Sequence, residues 1–438
     1  MQALSGSVRD LAEGRSRWIV SSLLAIIALG IGIRLYVAEA LVGKAFNDTA
    51  IVGLMTMHEL AGRFYAFYWG PVLHGLDGVA VDRALLRAVR RERTVVVGLL
   101  PWFVLFTIAI YGLTRLCGGG RAAIIAAFLS ATAPAYLQYH EMMPLGGYPE
   151  TLALGTVLLW LALRVVYRPL SPAAQTAHLV AIGAVGGLAF WTNWLVLPYF
   201  VIVGLYLFLW NPFLLGRSAS WLAIAAFVVG SLPFWAYNVK THFATFHLLT
   251  HEAGLSEGSG RGADFYWVLT RGLPAVLGVR DFDGAFSYGA LGLALTALVV
   301  SGTLVALFRL RASWIELARG RVAHARPAAG LFLFALVTAV IYTECRPTTL
   351  RLERYLVPFA TATIPLTAMA IDWLLERRRA FGGMLLVSLV GLYAREVFDL
   401  HGHFAGTPVR FFCERVDELS RYLVRSRSAS PMPTTATR

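Results

Sequence analysis

Long apolar runs separated by short polar or basic connections dominate the chain from Trp18 to about residue 396. Runs of about 18 or more apolar residues suit a bilayer, where only a helix satisfies its own backbone groups without water. The pattern predicts eleven spans, at roughly 18–38, 94–115, 121–138, 151–167, 177–192, 195–210, 219–236, 287–308, 328–343, 355–375 and 382–396. The expected fold class is therefore all-α: a polytopic membrane bundle, residues 1–396, with short amphipathic helices on its outer side. A tail, 397–438, follows and ends in the low-complexity stretch "RSRSASPMPTTATR" (425–438). Neither an internal repeat nor a nucleotide-binding loop interrupts this pattern.

Composition agrees, with 58% hydrophobic and 14% charged residues. The formal net charge of +13 changes the picture only through its placement. Lys44 and Lys240 are the only lysines, and the arginines gather at the ends of apolar runs. That fits membrane anchoring and sidedness better than a groove for nucleic acid, and no nucleic-acid partner is expected.

Arg9, Arg15 and Arg17 precede a first run that is too long for a cleaved signal, so it reads as a signal anchor with the N-terminus in the cytoplasm. The basic block "RLRASWIELARGRVAHAR" (309–326) and "ERRR" (376–379) then also face the cytoplasm. Segments 39–93, 139–150 and 237–286 fall outside. "DRALLRAVRRER" (82–93) and "RPTTLRLERY" (346–355) break the rule by placing arginines there, as an interfacial anchor or as a site for something anionic. "GGG" (118–120) reads as a tight cytoplasmic turn and "GLSEGSGRGADF" (254–265) as an outer loop.

Carboxylates at membrane edges are scarce enough to examine one by one. Asp48, in "KAFNDTAIVGLM" (44–55), is well placed to cap a helix whose face carries Ile51, Leu54, Met55 and His58. Capping and chemistry are compatible, because a cap also fixes the carboxylate. "YHEMMPLGGYPET" (139–151) reads as an outer loop broken by Pro144 and Gly146–Gly147, with Glu141 and Glu150 on either side. A plain turn with Glu150 at a helix N-terminus explains it equally well. "WTNW" (191–194) and "LPFWAYN" (232–238) read as an aromatic belt, and "RYLVP" (354–358) as an anchor or a phosphate contact. His58, His74 and His140 lack the spacing of a zinc site, and no metal site is expected.

These stretches, in this order, resemble the GT-C superfamily of membrane glycosyltransferases, in the branch of protein O-mannosyltransferases and the lipid A aminoarabinose transferase. The resemblance runs through "NDTAIVGLM" (47–55), "FYWGPVLHG" (67–75), "MPLGGYPETLALG" (143–155), "GGLAFWTNWLVLPY" (186–199), "GSLPFWAYNVKTHFATF" (230–246) and "RYLVP" (354–358). It implies transfer of a sugar from a polyprenyl-phosphate donor to a hydroxyl acceptor, with inversion, at the outer face of a bacterial-type inner membrane. Asp48 matches the motif acid and would be the base. Glu150 and Tyr148 of the second motif would orient substrate, and Arg354 and Tyr355 would meet the donor phosphate, with Arg351 nearby. Asp77 is one position displaced from the family's later acid, and His58 flanks the first motif. Thr49 stands where the family usually has Glu.

The partners implied are membrane lipid, the lipid-linked sugar and an acceptor that is protein, lipid or glycan. A divalent metal stays open, since Asp48 and Glu150 are hard oxygen ligands but two such ligands do not define a site. The alternatives are a transporter, for which charges near the midplane and a repeat would be expected, and a non-catalytic relative, for which Thr49 speaks. Cys345 and Cys413 are both expected outside and able to pair.

Overall fold

A computed structural model describes residues 2–41, 52, 55, 97–144, 146–247, 261–280, 289–344 and 353–406 of the 438. Helix α1 is Gln2–Leu41, and the chain continues with α2 (Leu100–Gly118), α3 (Gly120–Ala131), α4 (Ala135–Met142), α5 (Tyr148–Tyr167), α6 (Pro172–Thr192) and α7 (Leu197–Trp210). Then come α8 (Ser218–Gly230), α9 (Leu232–Lys240), α10 (Arg261–Trp267), α11 (Leu273–Val276), α12 (Ala290–Arg309), α13 (Arg311–Ala318), α14 (Pro327–Glu344), α15 (Ala360–Arg377) and α16 (Arg379–Gly406).

Every predicted span falls on an apolar helix, but not every one is a full span. Among the described residues, seven helices are long and apolar enough to cross a membrane, or up to nine if each of two bent pairs counts as one span. The segments 195–210 and 328–343 fall on the shorter helices Trp194–Trp210 and Pro327–Thr343. The segments 121–138 and 219–236, expected to be continuous, are broken: α3 and α4 meet at 68° and α8 and α9 at 60°. Proline causes both breaks, because Pro134 and Pro233 have no N–H for the preceding helix and clash with its last turn. The last span also continues beyond 396, as α16 runs to Gly406. Residues 261–265, expected in a loop, are helical.

The exterior is apolar in the way a lipid-facing surface must be, with Trp18, Val229 and Val387 each more than two-thirds exposed. Inside, close helix packing depends on small residues rather than on hydrophobic burial, since lipid is as apolar as leucine. α6 and α8 show this most clearly. A Cβ on Gly183 would lie 2.0 Å from the Ala223 carbonyl oxygen, and one on Gly187 would lie 2.1 Å from that of Phe227. Contacts that advance together along both chains make the two helices parallel. Between α2 and α3, Gly119 takes φ 92° and makes the expected tight turn.

At one end of the bundle Arg121 pairs with Asp372 and Glu376. The other end gathers the C-terminal part of α1, α4, the N-terminus of α5, the last turns of α16 and the 3-10 segment Glu353–Phe359. That second end carries the polar residues considered next.

Candidate functional site

The predicted loop 139–151 is in large part a helix, and this is the main local correction. α4 carries Tyr139, His140, Glu141 and Met142, and α5 begins at Tyr148 directly after Gly146 and Gly147. The turn works because Gly147 adopts φ 84° and Gly146 φ 93°, left-handed values that cost glycine little. Asn193 then pins it. Its Nδ2 donates to the Gly146 carbonyl at 2.8 Å, while its Oδ1 accepts from the Leu195 amide at 2.8 Å. Read in sequence as part of an aromatic belt, this buried asparagine is a positioning group for the second motif. Its neighbours are packed too: Phe234 is fully buried, with its ring centre 4.7 Å from Phe190 and 6.0 Å from Trp194.

Glu150 is the third residue of α5 and 1% exposed. A carboxylate in the first turn of a helix is favoured by the N–H groups and dipole there. Tyr148, two positions earlier, emerges on the opposite side of that turn. Its ring centre lies 6.5 Å from that of Tyr355, and the Arg354 guanidinium carbon sits 6.0 Å from the Tyr148 ring centre and 5.5 Å from that of Tyr355. The structure therefore brings Tyr148, Arg354 and Tyr355 together, with Glu150 in the same turn as Tyr148. Asp48, Asp77, His58 and Arg351 lie outside the described residues, as do the arginines of 82–93 and the cysteines Cys345 and Cys413.

Two polar networks hold this end in register. Six residues below Glu150 on α5, the Thr156 hydroxyl meets the Thr361 hydroxyl of α15 at 2.7 Å, and Thr361 also meets the Tyr199 hydroxyl of α7 at 2.7 Å. Hydroxyls bonded across helices suit a membrane interior, where an unsatisfied polar group is costly. The network joins the helix that carries Glu150 to the helix that Arg354 and Tyr355 lead into.

The second network centres on Arg34 of α1, a charge inside an apolar run that the sequence reading passed over. Arg34 is 0% exposed and places all five guanidinium N–H groups. Two go to Glu141 Oε2, at 3.0 and 2.5 Å. The rest reach the carbonyls of Ser130 and Ala131 at 2.9 Å and of Gly30 at 3.3 Å. Ser130 and Ala131 are the last residues of α3, whose carbonyls have no helical partner. The Arg34 guanidinium also lies 3.5 Å from the centre of the Phe103 ring. Arg34 thus caps α3 and grips α4 across the 68° break. An intramembrane arginine is by itself a signal of such a role.

Among the described residues no group of three or more His, Cys, Asp or Glu is placed to hold a metal. Glu141 is engaged by Arg34, so Glu150 is the acid at this turn that is not committed to that ion pair. An open pocket lined by Tyr167, Arg168, Gln175 and Trp210 lies at the opposite end, away from these residues.

No family model and no curated protein matches the sequence. In structure the chain is similar to apo ArnT from Cupriavidus metallidurans, at 19% identity and TM-score 0.56, over 86% of this chain and 63% of that one. It is similar to the same protein bound to undecaprenyl phosphate, at 18% identity and TM-score 0.53, over 85% and 63%. A third likeness is to the apo oligosaccharyltransferase of Archaeoglobus fulgidus, at 15% identity and TM-score 0.50, over 89% and 56%. The chain spans less than two thirds of the length of these proteins. At this level of identity the likeness establishes the fold: an all-α, multi-pass membrane bundle of the GT-C type.

Proposed function

We propose that the chain is a glycosyltransferase that moves a sugar from a polyprenyl-phosphate donor to a hydroxyl acceptor at the outer face of a bacterial-type inner membrane. The observation that carries this reading is the grouping of Arg354, Tyr355 and Tyr148 at one end of a GT-C-type bundle. Two further facts support it. Arg354 is the first residue of a helical stretch, Arg354–Arg377, long and apolar enough to cross a membrane. A protein of the same fold, ArnT from Cupriavidus metallidurans, has been seen with undecaprenyl phosphate bound.

The chemistry follows from what transfer requires. The acceptor hydroxyl oxygen attacks the anomeric carbon, and the bond from that carbon to the phosphate oxygen breaks on the opposite side. The electron pair leaves with the polyprenyl phosphate, and the configuration inverts. Asp48 takes the hydroxyl proton as the attack proceeds, which requires a fixed carboxylate within hydrogen-bond reach. The leaving phosphate needs positive charge, and Arg354 supplies it with Tyr355 beside it. Glu150, buried and held in the first turn of α5, accepts hydrogen bonds from substrate hydroxyls. A divalent ion, if the enzyme uses one, would draw on Asp48 and Glu150.

The test is binding of undecaprenyl phosphate to the full chain in nanodiscs. Arg354→Ala is expected to weaken it at least tenfold, the scale of one charge-assisted phosphate contact. Equal binding by wild type and the variant would remove Arg354 from the donor site. No binding by wild type would refute the lipid-phosphate donor.

A further inference from the structure

His140 is a buried imidazole that the chemistry above does not use. It lies on α4, one residue before Glu141, and is 6% exposed. Its Nδ1 is 2.8 Å from the Tyr136 carbonyl oxygen, one helical turn back. A carbonyl oxygen only accepts, so Nδ1 carries the proton. In the neutral ring Nε2 is then a bare acceptor. Among the described residues, the hydrogen bond this ring makes is the one at Nδ1.

Three aromatic rings enclose the imidazole. Their centres lie 4.5 Å away for Tyr136, 5.2 Å for Tyr139 and 6.3 Å for Tyr148. Tyr148 is also the ring beside which the Arg354 guanidinium sits, at 6.0 Å. One tyrosine ring therefore neighbours both a cation and an imidazole with a lone-pair acceptor. The two groups call for different chemistry. A cation suits a phosphate. An acceptor nitrogen is useless to a phosphate oxygen that bears no proton, and suited to an alcohol O–H. A phosphate joined directly to a polyhydroxylated ring presents both features side by side. The position of the imidazole is also defended: Arg34 holds Glu141, the next residue, with two of its five N–H groups.

We propose that His140 is a specificity-determining residue whose Nε2 accepts a hydrogen bond from a ring hydroxyl of the lipid-linked sugar, beside the phosphate held by Arg354. This rests on the glycosyltransferase reading, and the experiment separates the two. The full chain in nanodiscs is titrated with undecaprenyl phosphate and with a panel of undecaprenyl-phosphate-linked hexoses and pentoses. His140→Phe keeps a flat ring in the aromatic cage and removes the acceptor. It is expected to weaken the preferred glycolipid about tenfold, the value of one buried hydrogen bond, and to change undecaprenyl phosphate less than twofold. His140→Gln, whose amide oxygen can reach the place of Nε2, is expected to recover part of the loss. A merely structural histidine would lower both ligands together and gain nothing from Gln. If His140→Phe changes both ligands equally, or neither, the sugar-hydroxyl role is overturned while the donor-lipid reading stands. If wild type binds neither ligand, both fall.

Discussion

Arg34 of α1 and Glu141 of α4 form an ion pair in the interior of a membrane bundle, 107 residues apart in sequence and 2.5 Å apart in space. Both side chains are essentially inaccessible. Pairing alone would not make such burial favourable, because desolvation offsets much of the attraction. The favourable element is completeness, since the guanidinium also satisfies the two terminal carbonyls of α3. Removing one partner strands the other. Glu141→Leu and Arg34→Met are each expected to cost about 3–5 kcal/mol. The double variant is expected to be milder than their sum, because it strands no charge. Thermal unfolding of the purified protein in detergent, run as a double-mutant cycle, checks this. Additive losses would mean that the pair is not coupled.

α6 and α8 approach backbone to backbone at their glycines, with the Phe190 and Phe227 rings packed beside that contact at 5.6 Å. A Cβ at Gly187 would lie 2.1 Å from the Phe227 carbonyl oxygen, and a helix backbone cannot give way as a flexible side chain can. Gly187→Val is expected to cost about 3 kcal/mol or more and to reduce the yield of monodisperse protein. Gly204→Ala, where nothing lies within 4 Å of the added carbon, should be neutral. Size-exclusion profiles of the two variants decide it. Similar profiles would show that the helices can separate.

Asn193 fastens the turn that leads into the second motif by bonding the Gly146 carbonyl. Asn193→Ala leaves that carbonyl without the partner and the Leu195 amide without its acceptor, a loss of about 1–3 kcal/mol. Since the turn carries Tyr148 and Glu150, glycolipid binding should fall with it, by about tenfold. Asn193→Asp retains the acceptor for Leu195 and removes the donor for Gly146. An Asp variant as weak as the Ala variant identifies the Gly146 bond as the important one.

Much of this architecture was legible in the hydrophobic pattern, because lipid enforces long apolar helices with little ambiguity. The breaks were less so. Pro134 and Pro233 were present in the sequence, but apolar residues continue past both, and run length outweighed the local proline signal. The helical character of 139–142 was hidden by the proline and glycines that follow it, which describe the next turn and not the one before. Tyr148, Arg354 and Tyr355, which the resemblance assigned to substrate, stand together, while the first turn of α5 directs Tyr148 and Glu150 to different sides. Arg34 and Asn193 depend on partners far along the chain, Glu141 and Gly146, and no local spacing reveals such pairs. An isolated arginine within "IALGIGIRLYV" (27–37) was the available sign.

The most direct measurement is sugar transfer itself: wild type and Asp48→Asn in membranes supplied with labelled undecaprenyl-phosphate sugars, following both the label on the acceptor fraction and the undecaprenyl phosphate released. Wild type should transfer label and release the lipid phosphate in equal amounts. Asp48→Asn should be slower by about 10²-fold or more, the scale of a lost general base, while still binding undecaprenyl phosphate. Transfer undiminished in Asp48→Asn would contradict the assignment of the base, and a wild type that binds the lipid phosphate but transfers no sugar would contradict the enzyme.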